Sequence, residues 1–134
     1  MQTEHVSHLT RYGLVYLATP YSKYELGIEA AFKDACKLTA DLQKVGLYVF
    51  SPIAHSHPIA VHGGLDPLDY RIWAPWNEKF MLSSSCLLVG KLAGWSQSVG
   101  VWAEIDFFRK RLQPVWFLDP RTLLVERQEP VFCV

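Results

Sequence analysis

Leu14-Val15-Tyr16-Leu17-Ala18-Thr19-Pro20 is the stretch from which the fold is read. Five apolar residues in succession, halted by Thr-Pro, describe a strand covered on both faces. Downstream, Ser22-Lys23-Tyr24-Glu25 has the Ser-x-x-Glu form of a capping box. Ile28, Ala31, Ala35, Leu38, Leu42 and Val45 then recur at spacings of three and four before Gly46, which predicts a long amphipathic helix. Leu47 to Phe50 reads as a second strand. The stretch Ser51 to Asp66, rich in Pro, His and Gly, reads as a long loop of the kind that is often functional. Leu68 to Leu82 is predicted helical, with Pro75 starting or kinking a helix, so one helix or two short ones fit. Cys86 to Val89 is a third strand, followed by a loop from Gly90 to Gln97. A helix opening near Ser98 carries the stripe Val101, Ile105, Phe108 and Leu112. Val115 to Leu118 is a fourth strand, and the tail Thr122 to Val134 has the weak alternation of edge strands.

Strands alternating with helices in this order predict an α/β fold, a parallel sheet of about four or five strands wrapped by helices on both faces, because right-handed crossovers are nearly obligatory. The expected strand order is 2-1-3-4, numbered along the chain as above. A chain of 134 residues fits one domain, residues 1–134, with its core over about 14–118 and a C-terminal tail at 119–134. In the expected order the winding reverses between the first and third strands, and ligands bind outside the carboxyl ends of strands at such a switch point.

Composition narrows the partners. Thirteen Lys+Arg balance thirteen Asp+Glu, which disfavours nucleic acid as the main partner, since that contact needs clustered cations. No apolar run approaches the ~20 residues of a membrane span. Met1 to Arg11 lacks the pattern of a secretory signal, so a soluble, cytoplasmic protein is expected. Cys36, Cys86 and Cys133 are odd in number and far apart, as free buried thiols rather than a disulfide framework or zinc knuckle.

The unusual residues gather after the strands. Thr19, Pro20 and Tyr21 follow the first, His55 and His57 the second, Trp95, Ser96, Ser98 and Gly100 the third, and Asp119-Pro120 the fourth. All would line one edge of the sheet, the usual place for a small-molecule site. Gly94 to Gly100 offers two glycines, two hydroxyls and a helix N-terminus, which suits a phosphate or a sugar hydroxyl, or is simply a helix capped by Ser98. Glu104 falls about 60° from the centre of its helix's apolar stripe. It is either a partly desolvated nucleophile or base, or a flanking residue paired with Arg111. His55, His57 and His62 lack a metal-ligand spacing and read as hydrogen-bonding or proton-passing groups. Among the aromatics Tyr16, Tyr21 and Trp95 are held as site candidates, while Trp73 and Trp76 read as core.

Tyr16-Leu17-Ala18-Thr19-Pro20, Ser51-Pro52-Ile53 with His55-Ser56-His57-Pro58, and Gly94-Trp95-Ser96-Gln97-Ser98-Val99-Gly100-Val101-Trp102-Ala103-Glu104-Ile105 together resemble the nucleoside 2-deoxyribosyltransferase-like superfamily, and most closely its small bacterial and phage members of unassigned function. The resemblance spans about Leu14 to Leu118. It implies a Rossmann-like sheet, assembly as homodimers or larger homo-oligomers, and cofactor-free cleavage of the N-glycosidic bond of a nucleoside or nucleoside 5′-monophosphate. By the same likeness Glu104 is the nucleophile that forms a covalent glycosyl intermediate, Tyr16 orients it, and Ser98 holds the 5′ end of the substrate. The family's usual aspartate falls at Asn77 and a second family acid at Cys86, so His55, His57 or Asp69 would have to supply an acid. An alternative is a non-catalytic nucleotide-binding or sensing module; a third reading is a metal-dependent hydrolase using the loop histidines.

Overall fold

A computed structural model describes residues 3–127. The chain forms strand β1 (Thr3–His5), a 3₁₀ turn (Val6–Arg11), β2 (Leu14–Ala18), α1 (Ile28–Val45), β3 (Tyr48–Phe50), α2 (Pro52–Gly63), α3 (Tyr70–Leu82), β4 (Cys86–Gly90), a second 3₁₀ turn (Trp95–Gln97), α4 (Val99–Lys110), β5 (Val115–Leu118) and β6 (Leu124–Arg127). The sheet is mixed, not parallel throughout, and has six strands in the order β1-β6-β5-β4-β2-β3. β3, β2, β4 and β5 are parallel neighbours. β6 pairs antiparallel with β5 and β1 antiparallel with β6. β1 has only three residues in an exposed-intermediate-exposed pattern, too short and polar for periodicity to reveal. The tail does form a strand at Leu124–Arg127, but β6 is not an edge strand, because β1 pairs with its outer side; the rest of the tail, with Cys133, lies outside the described residues.

Alternation along the strands divides the core into two faces. Val15 and Leu17 of β2, Cys86 and Leu88 of β4, and Trp116 and Leu118 of β5 pack against Leu38 and Leu42 of α1 and against Val6 and Leu9. Tyr16, Ala18, Leu87, Val89, Val115 and Phe117 point the other way, onto Met81 of α3 and Val101, Ile105 and Phe108 of α4. Three layers result, and each fully buried Leu or Val contributes roughly 1.5–3 kcal/mol by leaving water.

Several local expectations are corrected. The Ser22 capping box does not form, because two turns closed by Tyr24 N–H to the Tyr21 carbonyl and Gly27 N–H to the Tyr24 carbonyl occupy that stretch. α1 starts after Gly27, whose φ of +93° suits glycine. The stretch Ser51 to Asp66 is mostly helix α2 rather than loop. Ser51 caps it by accepting from the Ala54 N–H, Pro52 takes the first turn where no donor is lost, and Gly64 closes it in the left-handed region. α3 is one helix despite Pro75. Leu112 lies past the end of α4, exposed, and does not extend the stripe.

Gly90 ends β4 where a side chain has no room. A Cβ there would lie 2.7 Å from Leu38 Cδ2 and 3.1 Å from Thr19 Cγ2. Gly90→Ala is expected to cost about 1–3 kcal/mol by overpacking, measured by urea denaturation, and unchanged stability would refute the close packing.

Candidate active site

The carboxyl ends of β2 and β3 open into a cavity of about 680 Å³ walled by α2, α3, α4 and the turn after β2. At its floor Tyr16, wholly buried in β2, donates from Oη to Oε2 of Glu104 at 2.5 Å. The pair meets because Tyr16 points to the α4 side of the sheet and Glu104 lies one turn into α4, beside the buried stripe. Glu104 retains partial exposure, into the cavity it lines. Burial pushes its carboxyl up to about 8, and the Tyr16 hydrogen bond opposes that rise by stabilising the carboxylate. The same burial, reinforced by the neighbouring carboxylate, pushes the Tyr16 phenol far up, so Tyr16 remains a hydrogen-bond donor.

Of the residues proposed from sequence, Glu104, Asn77, Thr19, Tyr21, Ser98 and Gly100 all line this cavity, with Tyr16 beneath. Thr19 Oγ1 and Asn77 Oδ1 are buried without a hydrogen-bond partner among the described residues. Buried polar atoms in this state cost free energy unless a ligand or water satisfies them. Ser98 Oγ accepts from the Val101 N–H, so the capping reading holds, and the first residues of α4, Val99 and Gly100, face the cavity.

The other proposed residues do not line it. Pro20 is buried in the turn. His55 packs among Phe50, Trp76 and Phe80, since α2 turns it toward the aromatic cluster. His57 is buried behind Tyr21. Trp95 packs at a tilt against Phe117 and Trp102 and borders a separate depression with Lys91 and Asp119. Ser96 uses its carbonyl to accept from Trp102 Nε1. Asp69 is occupied as the α3 cap, with Arg71 holding its carboxyl below the usual range. Cys86 faces α1 on the opposite side of the sheet, so it bears on no chemistry in the cavity. Among the described residues no group of three or more His, Cys, Asp or Glu could hold a metal ion. Nor is any helix long and apolar enough to cross a membrane.

Sequence reasoning found the α3 helix but missed most of the residues it contributes to the cavity wall. Tyr70, Trp73, Ala74, Asn77, Glu78 and Met81 line the cavity at the spacings of one helix face, with Pro75 at its margin. That stripe was available as a signal. Trp73 is part of the wall rather than core alone, fixed by its Nε1 donating to the Asp66 carbonyl.

No curated protein matches the chain. A family model, described as a domain of unknown function, matches residues 13–119, which covers β2 through β5 and every side chain of the cavity floor. The chain belongs to that family, DUF1937.

Proposed function

We propose that the protein cleaves the N-glycosidic bond of a nucleoside, or transfers its sugar, through a covalent glycosyl intermediate on Glu104. The reading rests on one observation above the rest: a desolvated carboxylate at the floor of a nucleoside-sized cavity, oriented by a buried tyrosine at 2.5 Å. Glu104, once its proton has been lost to solvent, attacks the anomeric carbon as a carboxylate while the C–N bond breaks and the base departs with the bonding electrons. Water, or a second base, then displaces the sugar from the carboxylate. Positive charge developing on the ring favours the ionised carboxylate in the loaded site, and Tyr16 holds the attacking oxygen's partner in place. Trp73, Tyr21 and Phe107 offer flat apolar surface to a base, while Thr19 and Asn77 offer unused polar atoms.

The lining carries the carboxylate of Glu78, and Glu104 must also be ionised to react, against the partial positive charge of the α4 N-terminus. This balance favours an uncharged nucleoside over its 5′-monophosphate. No cofactor is needed for the reaction in this form. The Rossmann-like relationship and assembly as a homo-oligomer belong to the same proposal.

Asn77 favours a second reading, a binding or sensing module without turnover, because an amide in this position cannot donate a catalytic proton. The test is release of free base from ribo- and deoxyribonucleosides and their 5′-monophosphates, followed by chromatography, with melting temperature recorded for each ligand. Base release supports cleavage; a ligand that raises the melting temperature without turnover supports the module. Asn77→Asp is expected to raise base release, by about 10-fold or more if the new carboxyl reaches the leaving base. An unchanged or lower rate would show that position 77 carries no missing acid.

A further inference from the structure

Behind the cavity wall a second polar chain runs from the ligand space to the surface. Tyr21, which lines the cavity, places Oη 2.6 Å from Nδ1 of His57, and His57 Nε2 lies 2.7 Å from Oε2 of Glu29. Three elements converge to make it: the turn after β2, helix α2 and helix α1. The imidazole is 3% exposed, stacked on Phe32 with ring centroids 4.6 Å apart, while Glu29 is 62% exposed at the far end. A carboxylate only accepts, so Nε2 carries a proton toward Glu29, and Nδ1 is left to exchange one with the phenol. Of the titratable side chains that line the cavity, Tyr21, Tyr70, Glu78 and Glu104, Tyr21 is the one joined to a buried imidazole.

Resting on the glycosidic reading, the geometry points to Tyr21 as the proton donor to the departing base, recharged by His57 and Glu29. In the charged form the imidazolium donates from Nδ1 to Tyr21 Oη and from Nε2 to Glu29, which frees the phenolic proton for the cavity. As the C–N bond breaks, that proton passes to the base, to a ring nitrogen of a purine or the O2 carbonyl oxygen of a pyrimidine, and the Nδ1 proton moves to Oη in the same displacement. The phenol is restored without a standing phenolate, and His57 is left neutral. When water attacks the glycosyl carbon, its proton returns through Oη to Nδ1 as the ester oxygen of Glu104 leaves as carboxylate. The cycle then closes with one water consumed. Tyr21 in this role supplies what Asn77 cannot, and His57 and Glu29 are positioning residues.

The experiment compares two kinds of leaving group. The 2′-deoxynucleosides of adenine and thymine need a proton on the departing base, whereas p-nitrophenyl 2-deoxyriboside releases a stable anion. Tyr21→Phe is expected to lower the ratio of nucleoside to p-nitrophenyl cleavage by about 10²–10⁴. Glu29→Gln, at an exposed position, is expected to lower it by about 10-fold. Equal losses on both substrates, no loss on either, or a wild type that cleaves only the p-nitrophenyl glycoside would overturn the relay and leave cleavage at Glu104 standing. A wild type that cleaves neither kind overturns the glycosidic reading and the relay with it.

Discussion

Glu104→Gln is expected to release base at least about 10⁴-fold more slowly than wild type, the scale on which removing a nucleophile is felt when the remaining site is intact. The amide matches the carboxyl in size, still accepts from Tyr16 Oη, and leaves Val101, Ile105 and Phe108 packed as they are, so the loss reports chemistry rather than folding. Ligand binding should persist, because the cavity walls from α2 and α3 are untouched. A variant that binds ligand and retains more than about a tenth of the rate would remove Glu104 from the reaction.

The same substitution separates the two proteins by stability in a way set by pH. Glu104 moves from its ordinary 4.5 up to about 8 in the folded chain, chiefly through burial. Between these values the native protein holds a proton that the unfolded chain has lost. The stabilising contribution is therefore complete below about 4.5, declines as pH rises, and is lost once pH passes about 8. Glu104→Gln lacks this dependence. Urea denaturation across that range should show wild type losing about 2–4 kcal/mol relative to the variant, less than a fully enclosed carboxyl would give because the cavity admits water. Parallel stability curves would mean that the carboxyl is solvated and ordinary.

Much of the site follows from short-range pattern. β2 and β5 begin and end where their apolar runs do, Ser98 caps α4, and the angle of Glu104 on that helix sets it at the edge of the buried stripe. What the pattern could not carry were pairings across the chain. β1 joins β6 over more than a hundred residues with three-residue registers, and no local period signals that. Helix α2 was obscured by Pro58 and by its histidines, although Ser51-Pro52 and Gly64 mark both its ends. The histidines show a different limit: residue type advertised proton chemistry, but helix phase decided that His55 enters an aromatic cluster while His57 sits behind Tyr21. Likewise Cys86 matched an acid position by alignment of motifs, yet strand alternation turns it to the other face of the sheet.

The most direct test of the central claim is to trap the intermediate. A nucleoside fluorinated at the sugar carbon next to the anomeric centre slows the second displacement more than the first when the leaving base is good, so a glycosyl ester accumulates. Intact-mass spectrometry should then show the protein heavier by one fluorosugar, and fragmentation should place the addition on Glu104. Base release continuing with no adduct, or with the sugar on another residue, would contradict a nucleophilic Glu104.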